Sequence, residues 1–163
     1  MAESETDLLL RCLAGQRRHV LGTLEGLTEE QLHRAVLPSG WNCLGAVRHL
    51  ALEVEQFWFQ GIVAGERVDT DAMDTAWKVG PEVPAETVLQ QYREEIAKSN
   101  AIISATPLDS LASWWPSEFV GDGERQSLRA IVLHALTDTA THAGQLDAVR
   151  ELLDGKQWLV LNG

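Results

Sequence analysis

Three side chains able to bind a metal ion recur at four-residue spacing near the end of the chain: His134, Asp138 and His142. The surrounding segment, SLRAIVLHALTDTATHAGQLDAVRELLDG, is predicted to form one long helix with Ser127 as its N-cap. Residues at positions i and i+4 of a helix lie on the same face about 6 Å apart, so either neighbouring pair can reach a single ion. A third imidazole from another helix, for which His49 is the candidate, would complete a site with open coordination positions.

Spacing does not decide which pair binds. His134 and His142 are about 12 Å apart along the helix axis at 1.5 Å per residue, too far for one ion to take both. His134–Asp138 and Asp138–His142 therefore remain alternatives at this point. An interpretation without a metal also remains, in which His49 is a hydrogen-bonded core residue and an arginine offsets the cost of placing Asp138 on an apolar helix.

The donor set indicates what kind of site this is. Imidazole and carboxylate ligands suit one divalent ion, with Zn²⁺ or Ni²⁺ the best candidates. A closed structural zinc site normally uses four protein ligands, so three ligands favour an open site. Cys43 lies about 9 Å along its helix from His49 and is poorly placed to bind the same ion. Near a helix N-terminus it is either a reactive thiol or a packed apolar residue.

Length and composition bound the class of protein. The 163 residues carry a formal net charge of −11, and we expect a single domain over residues 1–163. The charge argues against nucleic acid or an anionic membrane as a partner, because both attract clustered Lys and Arg. Two cysteines are too few for a disulfide framework. The N-terminal segment has no basic-then-apolar secretion pattern and no apolar run reaches the ~20 residues of a membrane span, so we expect a cytoplasmic protein.

Apolar stripes and helix-capping residues predict an all-α protein. The fold expected is a four-helix bundle with long crossover connections. A short helical turn with a capping box is predicted at residues 28–33, and Asn42 is the expected N-cap of the second long helix. The apolar residues and the six tryptophans indicate more hydrophobic surface than one small bundle can bury, which predicts a homodimer. The four long helices are predicted at residues 6–25, 43–64, 84–105 and 127–155.

Two blocks of the chain resemble the DinB-like superfamily, in its branch of mycothiol-dependent enzymes related to maleylpyruvate isomerase. GWNCLGAVRHLALEVEQFWF is similar to the family's second helix, where a Trp and a Leu-Gly pair precede the metal-binding histidine. SLRAIVLHALTDTATHAGQLDAVRELLDG is similar to its last helix, where a carboxylate and a histidine four residues later bind the metal. The resemblance implies that His49, Asp138 and His142 are the metal ligands and that His134 is not.

The resemblance also implies an activity. The branch uses a low-molecular-weight thiol such as mycothiol, so the expected function is a metal-dependent S-transferase or isomerase acting on a small-molecule electrophile. The chain departs from the pattern at Asp138, where a glutamate is usual, and at Gln145, where a histidine is frequent. Two alternatives are a metal-dependent hydrolase that activates water and a non-catalytic metal-binding domain in stress response or protein interaction.

Three residues near the predicted site are expected to bind substrate. Trp41, Trp58 and Arg48 are the candidates, and both tryptophans are expected close to His49. No catalytic side chain is assigned, because a metal-activated thiol or water needs none from the protein. His19 and His33 lack partners at helical spacing, so we expect them at the surface.

Overall fold

The structure, a computed structural model, describes residues 3–158, in which the regular secondary structure is helical apart from an isolated β-bridge between Leu111 and Ser127. The all-α class is therefore confirmed. Within the described range, no helix combines the length and the apolarity needed to cross a membrane. The elements are α1 (Glu5–Leu24), α2 (Glu29–His33), α3 (Cys43–His49), the π-helical segment (Leu50–Val63), α4 (Ala85–Ala105), α5 (Ser117–Val120) and α6 (Leu128–Asp154).

Capping side chains set the helix boundaries as the sequence predicts. The side chains of Asn42 and Ser127 accept hydrogen bonds from the first turns of α3 and α6. Thr28 and Gln31 form a reciprocal capping box around α2. Gly65 follows the π segment with a φ of 73°, a left-handed conformation that glycine adopts without steric cost. The predicted ends of the long helices agree with the structure to within one or two residues.

The π-helical segment continues α3 without a break. Leu50 has helical backbone angles, and at the far end the backbone N–H of Ala64 donates to the carbonyl oxygen of Phe59, five residues earlier, at 3.0 Å. Such widened turns are rare and are frequently found at functional sites. His49 is the last residue before the widened region, so the change in helical pitch begins at a candidate metal ligand.

The long helices share one apolar core. Helix α1 contacts α6 and α4, while the π segment contacts α4 and α6. Fully buried side chains come from each of them, among them Leu13, Leu50, Tyr92 and Ile131. These contacts hold α3 and α6 beside each other, which is the arrangement that the site requires.

A buried ion pair joins three of these elements. The Arg17 guanidinium on α1 donates to both carboxylate oxygens of Glu55 on the π segment, at 2.7 and 2.5 Å. Its remaining nitrogen donates to Asn100 Oδ1 on α4 at 2.8 Å. Both charged side chains are almost completely buried. A bidentate pair with its remaining donor satisfied is the geometry in which a buried charge is tolerated.

Two histidines and one short helix depart from the expectations. His19 is buried rather than at the surface, with Nε2 2.6 Å from Asp147 Oδ2 on α6. His33 is largely covered, with Nε2 3.0 Å from the carbonyl oxygen of Val83. His19 is buried because helix α1 contacts both α6 and α4, which gives α1 a wider buried face than the single apolar stripe in its sequence predicts. The four-residue helix α5 had no apolar periodicity from which to be predicted.

Candidate metal centre

The fold brings His49, Asp138 and His142 together. His49 ends α3, and the other two lie one turn apart on α6. One potential ligand atom from each residue lies within 4.8 Å of the other two. Asp138 stands between the imidazoles, with Oδ1 3.2 Å from His142 Nε2 and Oδ2 3.8 Å from His49 Nε2. The proximity expected of these three side chains is therefore present.

This group of atoms fits a divalent ion. Bonds of about 2.1 Å to a common ion place its ligand atoms roughly 3 to 4 Å apart, and the two separations from Asp138 already lie in that range. Both ring nitrogens of His49 are buried without a well-directed hydrogen bond to any described residue. Buried polar atoms without partners are rare in folded proteins, and a cation at Nε2 would satisfy one of them.

The carboxylates shift the protonation of the site. Burial lowers the pKa of His49, but the nearby carboxylates of Asp138 and Glu53 outweigh this and raise it to about 9. The neighbouring imidazoles, first that of His142 and then that of His49, hold the pKa of Asp138 well below its usual range. At neutral pH the metal-free site therefore has a protonated His49 beside an ionised Asp138. A metal ion would have to displace a proton from His49.

A second side chain on the same helix places an oxygen beside Nδ1 of each imidazole. Glu53 Oε1 lies 3.0 Å from His49 Nδ1, and Gln145 Oε1 lies 2.8 Å from His142 Nδ1. Both oxygens can accept an Nδ1–H donor, which leaves each Nε2 for an ion. This is the usual support of metal-binding histidines. Neither Glu53 nor this role of Gln145 was predicted from the sequence, although the i,i+4 and i,i+3 spacings are visible there.

Trp77 covers the two imidazoles. Its ring centroid is 4.3 Å from that of His49 with an interplanar angle of 25°, and 5.1 Å from that of His142 in an edge arrangement. Trp77 belongs to the irregular connection between the π segment and α4, and it is half-buried. Its position beside His49 was not predicted from the sequence.

The predicted substrate-binding residues occupy different places. Trp41 contacts Trp77, with ring centroids 6.0 Å apart, and so lies one ring away from the imidazoles. Trp58 contacts His134, with centroids 4.6 Å apart. Arg48 is half-buried beside His49 in the sequence. Binding of substrate by Trp41, Trp58 and Arg48 stays a prediction.

His134, the alternative ligand, is exposed and lies outside the group of three. The structure therefore favours the Asp138–His142 pair over His134–Asp138. Spacing alone left both open.

Comparisons with known proteins agree with this fold. The chain matches the model of the mycothiol-S-transferase family over residues 8–155. No curated protein matches it. Among solved structures, that of a conserved protein from Enterococcus faecalis is similar, with a TM-score of 0.63 and 18% sequence identity, over 95% of this chain and 100% of that one. At that identity the likeness shows the fold alone. Because the family match spans nearly the whole chain, the protein belongs to the mycothiol-S-transferase family, a DinB-like family.

Proposed function

We propose that this protein is a divalent-metal-dependent S-transferase that joins a low-molecular-weight thiol, mycothiol or a similar compound, to a small electrophile. The observation that carries the proposal is the convergence of His49, Asp138 and His142, with ligand atoms within 4.8 Å of one another. Membership of the mycothiol-S-transferase family supports the choice of reaction and of thiol. Zn²⁺ and Ni²⁺ are the ions that suit this donor set best.

The protein's own residues bind and orient in this scheme. His49 and His142 would hold the ion through Nε2, and Asp138 would add a negative charge between them. When bound, a divalent ion lowers the pKa of a thiol placed against it, so that the sulfur is a thiolate near neutral pH. The sulfur forms the new S–C bond, the leaving group departs from the electrophile with its electron pair, and the thiol proton goes to solvent. No general base from the protein is required.

The thiol is proposed to come from outside the chain. Cys43 is completely buried, and burial raises the pKa of its thiol to about 12. A helix N-terminus can lower a thiol pKa, but here desolvation dominates. Cys43 therefore behaves as a packed apolar residue and not as a nucleophile.

The test is conjugation of mycothiol to 1-chloro-2,4-dinitrobenzene by metal-free protein and by protein reconstituted with Zn²⁺ or Ni²⁺. We expect turnover only with both metal and thiol, its loss in His142→Ala, and its retention in Cys43→Ser. Equal turnover by metal-free protein contradicts the proposal. Metal-dependent cleavage of ester or amide substrates without thiol would favour the hydrolase alternative. Tight metal binding without either activity would favour the non-catalytic alternative.

The assembly and location of the protein are further parts of the proposal. We infer a single domain that forms a homodimer in the cytoplasm, where a reduced thiol cosubstrate is maintained. The support for a dimer is exposed apolar surface on several elements. Light scattering at tens of micromolar should give twice the chain mass, and a monomeric mass would contradict it. The large apolar side chains exposed among residues 3–158 are Leu8, Leu111, Phe119, Leu133, Leu152 and Trp158.

A further inference from the structure

The connection between the π segment and α4 is anchored on the first turn of α3. Ala76 and Val79 are buried, and the Asn42 side chain, which caps α3, also donates from Nδ2 to the carbonyl oxygen of Val79 at 2.8 Å. An irregular segment held by buried side chains and by a capping residue has a defined position relative to the helix. Trp77 lies between these two buried residues, so its backbone is fixed relative to α3 as well.

Gly45 makes the close approach possible. A Cβ added at Gly45 would lie 1.9 Å from the backbone oxygen of Trp77 and 2.4 Å from its carbonyl carbon. Neither atom belongs to a flexible side chain, so any larger residue at this position must push the connection away from α3. Gly45 therefore determines how close the Trp77 backbone comes to the metal-binding helix.

The indole ring then lies on the imidazoles. It is stacked on His49 and meets His142 by an edge, and both histidines are less than a tenth exposed. The carboxylate side chains around them are more open, at 29% for Asp138 and 30% for Glu53. Solvent therefore approaches the site from the side of the carboxylates and is excluded from the side of the indole.

We propose that Trp77 is a positioning residue of the metal centre: it holds the two imidazoles in their ligand orientation and closes one side, so that thiol and electrophile approach from the side of Asp138 and Glu53. The proposal rests on the proposed function, since it assumes that His49 and His142 bind a metal ion. An imidazole bound to a dication carries positive charge, and the face of an indole attracts such a charge. The same attraction acts on a protonated imidazole, so the gain for the metal-bound state comes from the fixed position of the two rings, which need not be ordered when the ion binds.

The first measurement is tryptophan fluorescence during titration with Cu²⁺, which quenches nearby indoles. In the wild type the emission falls as the site fills. Trp77→Phe should abolish most of that fall while still binding the ion. Trp115→Phe is the matched control, because Trp115 contacts Trp58 and not the imidazoles, and it should keep the metal-dependent fall.

The second measurement is Zn²⁺ affinity by competition with a chelator, with circular dichroism to verify folding. Trp77→Leu should bind Zn²⁺ about tenfold more weakly, the scale of immobilising a freed side chain on binding, and Trp77→Phe should lose less affinity. Gly45→Ala keeps the indole in the chain but displaces its backbone, and it should lose both affinity and quenching. Gly15→Ala, where the new Cβ would meet only Arg18 Nη2 at 3.9 Å, should change neither.

The outcomes separate this inference from the proposed function. If the wild type binds neither ion, the metal centre itself is refuted and the inference with it. If the wild type binds but Trp77→Phe keeps the full quenching, or Trp77→Leu keeps wild-type affinity, the positioning role of Trp77 alone is overturned. If Gly45→Ala does not fold, the two Trp77 variants still decide.

Discussion

Replacing Glu53 with leucine should weaken metal binding although Glu53 is not one of the three ligands. Its Oε1 lies 3.0 Å from His49 Nδ1, so in the metal-bound state it accepts the Nδ1 proton and keeps Nε2 directed at the ion. Such supporting partners are worth roughly 10- to 100-fold in metal affinity. The Glu53 side chain is 30% exposed, which favours the lower end. We expect about a tenfold loss, equivalent to about 1.4 kcal/mol.

The size of this loss should depend on pH. Glu53 also helps raise the pKa of His49 to about 9. It therefore makes His49 bind more tightly the proton that competes with the metal. Leucine at this position lowers that pKa and so lessens the competition below pH 9. The loss of affinity should therefore be smaller at pH 7.5 than at pH 9.5, where the imidazole is mostly neutral in both proteins.

The assay is chelator competition with Zn²⁺ at both pH values. Glu94→Leu, on the exposed face of α4, is the control and should bind like the wild type. Glu53→Gln keeps an acceptor oxygen and should fall between wild type and Glu53→Leu. Affinity of folded Glu53→Leu within twofold of the wild type at pH 9.5 would refute the reasoning.

Three further outcomes follow from the same site. His142→Ala should lose most metal by elemental analysis while staying folded, and His134→Ala should keep it; the reverse would mean that the other pair binds. Because the pKa of His49 is raised to about 9, metal binding should release about one proton at pH 7.5 and none at pH 10, measured by calorimetry in buffers of different ionisation enthalpy. Equal proton release at both would contradict the shift. In native protein Ellman's reagent should modify Cys12, which is partly exposed, and leave Cys43 unmodified; rapid labelling of Cys43 would reopen a covalent mechanism.

Most of the helical framework could be predicted because its signals are local. Asn42 and Ser127 begin their helices and Gly65 ends one, and each acts within one turn of the helix end that it forms. The π segment could not be predicted, since an apolar run shows the same burial whether its hydrogen bonds span four residues or five. Its detection needs the backbone itself.

The candidate site could be predicted only in part. Spacing placed Asp138 beside a histidine on either side, and the choice of His142 came from the resemblance, because positions i−4 and i+4 are equivalent on a helix. Trp77 was out of reach for another reason: its contacts with His49 and His142 cross from an irregular connection to two helices. The one local hint was Gly45, a glycine in the first turn of a helix.

The buried polar contacts between helices bear on how the metal exchanges. Arg17, Glu55 and Asn100 tie α1, the π segment and α4 together, and His19 with Asp147 ties α1 to α6. Any rearrangement that separates Arg17 from Glu55 leaves an uncompensated buried charge, at a cost of about 3 to 5 kcal/mol. These ties do not involve the metal ligands, so the helices keep their places when the ion leaves. The ion then enters a preassembled site and raises the free energy of unfolding only by mass action, as any reversible ligand does.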